Sequence, residues 1–338
     1  MLCLFLCVLS NSAYADEHTS WPTKILGGGK APWHSSPVDL SFLNLPEKPA
    51  GKHGFLRAVK DKLVFEDGTV ARFWGTNLTG YALFGMNSRE DVRLQARRLS
   101  QLGFNLVRFH HHDSSWVKPN IFGEGNSPDT KILSEGMLEK LDWWIKCLKD
   151  EGIYVWLDLE VQRQLKPGDG IDHFEEISGD NSGGGLKGFN YVNVSIQQAM
   201  QRFNEAYLNH MNAFTGLCYK DDPAIVTVML TNENDVTHHF ANSLLPDKNV
   251  PSHNAMYMTQ ANLFAKKFGL PFDKVWHSWE PGPSKLFLND LEHRFDVEMI
   301  KHLRSLGVKI PIVTTSSWGR DPLSSLPALT TGNLIDVH

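Results

Sequence analysis

Thr231-Asn232-Glu233-Asn234-Asp235 closes an apolar run, Ala224 to Leu230, and sets a carboxylate beside an amide at the end of what reads as a buried strand. A carboxyl placed there is partly desolvated, and desolvation favours its neutral form. Glu233 therefore reads as a proton donor working near neutral pH. Polar side chains end the other apolar runs in the same way: Asn77, then Arg108 with His110-His111-His112-Asp113, then Glu160, Trp318 just past its run, and His338. Adjacent histidines on extended chain alternate between faces, so His110, His111 and His112 cannot all converge on one ion. A zinc site would need ligands from other strand ends. The expectation is that His110 and His111 line a site, that no metal and no cofactor is bound, and that a metal-dependent hydrolase using His110 to His112 is the rival chemistry.

These side chains need a scaffold that gathers strand ends. Arg72 to Leu78 reads as a strand, followed by a helix with a Ser88/Asp91 capping pattern and a stop at Gly103. Phe104 to Phe109 is the second strand, Met137 to Lys149 a helix, and Ile153 to Leu159 the third strand. A helix from Ile196 to Phe214 precedes the fourth strand, Ala224 to Leu230. After a long insertion, the helix Leu286 to Leu306 leads to a fifth strand, Ile310 to Thr314, and Asn333 to His338 begins a sixth. Short apolar strands alternating with amphipathic helices predict parallel βαβ units. An open nucleotide-binding sheet would want a G-x-G-x-x-G turn after the first strand, and Gly75-Thr76-Asn77-Leu78-Thr79-Gly80 lacks that spacing. A (β/α)8 TIM barrel instead puts every strand end into one mouth. The predicted fold is this α/β barrel, with about six βα units in the chain. A hairpin, Lys62 to Phe65 with Val70 to Trp74, is expected ahead of it.

The 338 residues are 41% hydrophobic, 11% aromatic and 21% charged, and the 10 Trp and 19 Phe exclude a disordered chain. A net charge of −5 gives no electrostatic reason to expect nucleic acid or an anionic membrane as partner. The apolar run Leu2 to Leu9, followed by Ala13-Tyr14-Ala15, has the layout of a secretory signal peptide. Residues 1–15 are read as that signal, 16–54 as an extended lead-in and 55–338 as the barrel, with a secreted (extracellular or periplasmic) mature form free of the membrane. Cys147 and Cys218, both placed in helices, are expected to be buried and inert.

The run from Asp222 to Glu233 (DPAIVTVMLTNE) resembles the fourth strand of clan A glycoside hydrolases, the clan of the family 5 cellulases and mannanases, down to its Asn-Glu ending. The resemblance extends back through Trp74-Gly75-Thr76-Asn77, Gly103 to Arg108 and Gly152-Ile153-Tyr154, and forward through Gly307 to Ile312 and Ile335 to His338. It implies a secreted, retaining β-glycosidase acting on a carbohydrate polymer or its oligosaccharides through an acid/base and a nucleophile, two carboxylates about 5–5.5 Å apart. Carried over, Glu233 is the acid/base, Asn232 the ligand of the sugar 2-hydroxyl, Arg108 the group that holds the nucleophile, His338 a sugar-pocket histidine and Trp318 a stacking platform. The third strand departs from family 5, where a histidine is common, by ending Asp158-Leu159-Glu160. The nucleophile belongs at the end of a seventh strand, and Glu298, the last glutamate, falls inside a predicted helix. The chain is accordingly read as lacking its C-terminal part, with the nucleophile beyond residue 338. A non-catalytic carbohydrate-binding protein is the second expectation. The long segment after the third strand (162–191) and the insertion 238–284, with Trp276 and Trp279, are expected to overhang the mouth.

Overall fold

Strands of four to seven residues build the sheet, and a computed structural model places them within the described residues, 39–178, 183–317 and 322–337. A hairpin of β1 (Leu56–Val59) and β2 (Lys62–Phe65) comes first. The parallel strands follow: β3 (Gly75–Thr79), β4 (Leu106–His110), β5 (Tyr154–Glu160), β6 (Ile225–Thr231), β7 (Ile312–Ser317) and β8 (Leu334–Val337). They pair in chain order as one six-stranded parallel sheet, curled into a half-barrel. Each connection carries helix. α1 (Gly80–Phe84) and α2 (Arg89–Gln101) follow β3, and α3 (Glu135–Asp150) follows β4. α4 (Phe174–Ser178) and α5 (Val194–Leu208) follow β5, α6 (Pro251–Phe268) and α7 (Pro283–Ser305) follow β6, and α8 (Leu326–Leu329) follows β7.

The inner strands β4 to β7 are buried on both faces, but with different chemistry on each. Val107 and Phe109 of β4, Val155, Leu157 and Leu159 of β5, and Val228 and Leu230 of β6 join the core beneath the helices. The alternate positions, Arg108 and His110, Asp158 and Glu160, put polar groups on the opposite face, as the two-residue period of a strand requires. The helices start where local chemistry allows. Ser88 Oγ accepts the Asp91 N–H at the head of α2, and Asn193 Oδ1 accepts the Ser195 and Ile196 N–H groups at the head of α5. α3 ends before Gly152, whose φ of +74° and whose Cβ, if present, would stand 2.6 Å from the Asn44 carbonyl oxygen, leaving room for glycine alone. At the opposite end from the strand tips, the hairpin caps the sheet. Leu56 and Phe65 pack with Tyr154 and Val226 in a second apolar cluster, with the Phe65 and Tyr154 rings 5.1 Å apart.

Several expectations change here. The hairpin partner of Lys62–Phe65 is Leu56–Val59, because Lys60 takes a left-handed φ of 57° and closes a tight turn with Asp61; Val70 keeps a single bridge to Val64. The helix expected to reach Phe214 stops at Leu208, since Asn212 Oδ1 draws the Phe214 and Thr215 N–H groups into a turn of their own. Cys147 is buried on α3 and its thiol is pushed up to about 12 by burial, but Cys218 is half-buried in a loop rather than a helix. In the lead-in, Ser41–Glu47 forms a 3-10 helix whose Asn44 Nδ2 donates to the Phe104 carbonyl (2.8 Å). The signal-peptide reading concerns residues outside those described.

α7 carries a buried acidic pair one turn apart, Glu292 and Asp296. Burial first, and the charge of Asp235 second, pushes Glu292 up to about 8, although the Val236 N–H donates to its Oε2 (3.0 Å). Asp296 is held well above its ordinary value by burial and then by Glu292. Both carboxyls bind protons more tightly in the folded chain than in the unfolded one, where the ordinary values are 4.5 and 3.8. Their stability contribution is therefore whole at low pH and falls as pH rises through 4.5 towards 8, by up to about 1.4 kcal/mol per pH unit for one group. Glu292→Gln should flatten that slope. Urea midpoints measured at about pH 5 and pH 8 should lie closer together in the variant than in the parent; an unchanged gap would show that Glu292 is not the group responsible.

Candidate active site

The C-terminal strand ends lie level. Glu160 pairs with Thr231, Thr231 with Thr315, and Ser316 with Asp336. A cleft of about 380 Å³ opens there, lined among others by His111, Glu160, Gln162, Lys187, Asn232 and Glu233. The chain turns sharply at Glu233, whose φ is 49°, and at His111, whose φ is 56°. Such left-handed backbone costs a non-glycine residue about 1–3 kcal/mol and concentrates where function needs a side chain re-aimed. The Glu233 turn is pinned to β7: the Glu233 N–H donates to Ser316 Oγ (2.8 Å) and the Asn234 N–H to Thr315 Oγ1 (3.0 Å).

Asn232 is buried and fixed from two sides. Its Oδ1 accepts from Arg108 Nη2 (2.8 Å) and Ser316 Oγ (3.1 Å), while its N–H donates to the Glu160 carbonyl (2.9 Å). With Oδ1 spent, the amide N–H groups of this cleft-lining residue are left to donate to a ligand. Arg108 is the hub beneath. Nε donates to both Asp158 oxygens (2.9 Å each), Nη1 to Asp336 Oδ2 (3.1 Å), and the guanidinium lies 5.3 Å from the centre of the Trp156 ring. Burial acts upward on Asp158, yet the Arg108 charge and the His110 contact, with Nδ1 2.5 Å from Oδ2, outweigh it and hold the carboxyl below its ordinary value.

The histidines separate. His110 is buried against Asp158 and is not part of the cleft lining. His111 lines the cleft, with Nδ1 2.7 Å from Ser114 Oγ, and burial followed by the His110 charge lowers it to about 4, so its ring is neutral at neutral pH. His112 is fully buried with its ring 5.3 Å from that of Tyr207, and neither ring nitrogen has a hydrogen bond among the described residues. The three rings thus sit in three settings and share no ligand position. Asp113 accepts the Val161 and Gln162 N–H groups and fixes the chain leaving β5. Asn77 is exposed on β3 and lies away from the cleft lining. Trp318 and His338 fall outside the described residues. Of the insertion's tryptophans, Trp276 is buried and Trp279 exposed, stacked on His277 at 4.3 Å.

Ser316 and Lys187 escaped the sequence reading of the site, and Glu160 was read there only as a strand end in the mouth. Glu160 is buried; burial pushes its carboxyl up to about 8 against the pull of Arg163, whose Nη1 donates to Oε1 (3.0 Å), while Oε2 has no hydrogen bond among the described residues. At neutral pH it is held as the neutral acid on the cleft lining. Ser316 ties Asn232 to Glu233, and the buried hydroxyl run Thr314-Thr315-Ser316-Ser317 was its signal. Lys187 arrives on the long segment after β5, where nothing in spacing marks it.

No protein-family model matches the chain, and no curated protein matches it. Among solved structures, the endo-1,4-β-mannanase of Rhizomucor miehei aligns with a TM-score of 0.50 at 14% identity, covering 84% of this chain and 67% of that one. A glycoside hydrolase family 5 mannosidase from the same organism (TM-score 0.41, 15% identity, 78% and 73% covered) and a β-glucanase of Saccharophagus degradans (TM-score 0.43, 14% identity, 84% and 60% covered) are further matches. At these identities the mannanase likeness speaks to architecture alone: the α/β half-barrel follows the TIM-barrel fold of that enzyme.

Proposed function

We propose that the protein is a secreted retaining β-glycosidase of clan A type, acting on a polysaccharide or its oligosaccharides with Glu233 as general acid/base. One observation carries this reading: Glu233 follows β6 on a left-handed turn inside the cleft, beside an Asn232 whose amide is locked by Arg108 and Ser316. A carboxyl in that position reaches a glycosidic oxygen, and the Asn232 amide is placed to donate to a neighbouring sugar hydroxyl as charge develops on the ring. The exposed Trp116, whose Nε1 donates to Gln162 Oε1 at the cleft edge (2.8 Å), offers an aromatic face for a further sugar. The apolar N-terminal run supports secretion. The nucleophile belongs, by the same resemblance, to a seventh strand that the described residues do not include.

The test is to incubate the protein, carrying the strand that supplies the nucleophile, with a panel of β-linked polysaccharides and oligosaccharides and follow new reducing ends, with the anomer first released read by NMR. Release with retained configuration is the expected result; release with inversion would overturn the retaining mechanism. A binding-only reading draws support from Arg108, which here donates to Asp158, Asp336 and Asn232. Saturable glycan binding with no new reducing ends across the panel would favour it.

A further inference from the structure

Lys187 lines the cleft, half-buried, with its ammonium 5.6 Å from the centre of the Phe240 ring. It makes no hydrogen bond and no ion pair with any described residue. This is a placed side chain rather than a loose one. The next residue, Gly188, has a φ of +83°, and a Cβ there would stand 2.6 Å from the Phe240 carbonyl oxygen. The Gly188 N–H donates to Asn234 Oδ1 (2.8 Å), and Asn234 Nδ2 donates to Asn190 Oδ1 (3.0 Å). The segment bearing Lys187 is therefore bolted to the residue that follows Glu233.

The surrounding charges do not satisfy this ammonium. Burial lowers Lys187, and the charges of Glu233, Asp113 and Asp235 act against that without reaching it. Asp113 is engaged by the Val161 and Gln162 N–H groups, and Asp235 by the His238 N–H (2.9 Å). The other described cation of the lining, Arg163, is held by Glu160 Oε1, by Thr130 Oγ1 and its carbonyl, and by the Ala199 carbonyl, and His111 is neutral at neutral pH. Gln162, Gln164, Asn232 and Ser243 supply neutral polar groups. A half-buried ammonium with no anionic partner loses part of its hydration without a charge to make it up. Sugar hydroxyls repay that poorly, whereas an anionic oxygen gives a charge-assisted bond of about twice the strength.

We propose that the cleft takes an anionic sugar residue, one bearing a carboxylate or a sulfate ester, and that Lys187 is the residue that selects it. The proposal rests on the reading of the cleft as a glycan site and narrows it to a substrate class. The test is calorimetric titration of the full chain with three β-linked oligosaccharides of equal length: a neutral glucose oligomer, its oligoglucuronate counterpart and a sulfated counterpart. At least one of the acidic oligosaccharides should bind about tenfold more tightly than the neutral one, and added salt should erode the difference; which of the two does so identifies the anion. Lys187→Met should abolish the preference and Lys187→Arg should restore most of it, with thermal unfolding confirming that both variants fold. Equal affinity for neutral and acidic oligomers, or the same fractional loss for both in Lys187→Met, overturns the selection while leaving the glycan site standing. Binding of none of the three overturns the glycan site as well.

Discussion

Replacing Glu233 by alanine is expected to lower kcat/KM on glycosides with poor leaving groups by about 10²–10⁴-fold, which is about 2.7–5.5 kcal/mol of barrier. The reason is chemical. A sugar alkoxide leaves only if a proton reaches the glycosidic oxygen as the bond breaks, and Glu233 is the carboxyl that its turn aims into the cleft. An activated aryl glycoside departs as a stable phenolate and needs no such proton, so its bond cleavage should suffer far less. The measurement is log kcat/KM against leaving-group pKa: shallow in the parent, steep in the variant. Equal losses on both substrate classes would rule out proton donation by Glu233. Glu160→Gln is the necessary comparison, because burial leaves Glu160 protonated at neutral pH and it shares the cleft with Glu233. If the steep dependence follows Glu160 and not Glu233, the acid has been misassigned within a correct site.

Much of this arrangement was legible because strand ends announce themselves. An apolar run followed by Asn-Glu marks both the strand and the side chains at its tip; the same logic reached His111 in the cleft lining, while Arg108 and His110, also expected there, lie beneath it on Asp158. The α/β architecture followed from helix and strand periods alternating along the chain. What stayed hidden was of two kinds. Contacts between residues far apart in sequence leave no local pattern: Ser316 acts on Asn232 and Glu233 across 84 and 83 positions, and Lys187 is positioned by Asn234 through the neighbouring Gly188. Turns governed by single residues other than glycine were the other kind. Lys60 redirects the hairpin to Leu56–Val59, and Asn212 ends the helix near Leu208 early. Neither residue is a glycine, so composition gave no warning. The helix Pro251–Phe268 was missed inside a segment read as loop because only part of its length is buried, which blurs its apolar stripe.

The second large effect is on stability. Asp158→Ala should cost about 3–5 kcal/mol, because removing one partner of a buried ion pair strands the other. Arg108 is itself buried; without Asp158 it retains Asp336 and Asn232, so the loss should fall towards the lower end. The folded carboxyl lies below its ordinary value of 3.8. Its contribution is therefore fully present above 3.8 and is lost as pH falls through the folded value, so the gap between the parent and Asp158→Asn should be widest near neutral pH and should shrink in acid. Urea unfolding at about pH 7 and pH 3 measures this, and a gap that widens in acid would contradict the assigned pairing. A double variant, Arg108→Met with Asp158→Leu, separates stability from function. Replacing both charges with apolar groups of similar size is often neutral for folding, so most of the lost stability should return. Glycan affinity should not return with it, since Asn232 Oδ1 would keep Ser316 but lose Arg108, and its amide would be free to rotate away from the sugar. Recovery of both together would mean that the pair only holds the half-barrel in shape; recovery of stability alone would mean that this buried charge is kept to aim Asn232.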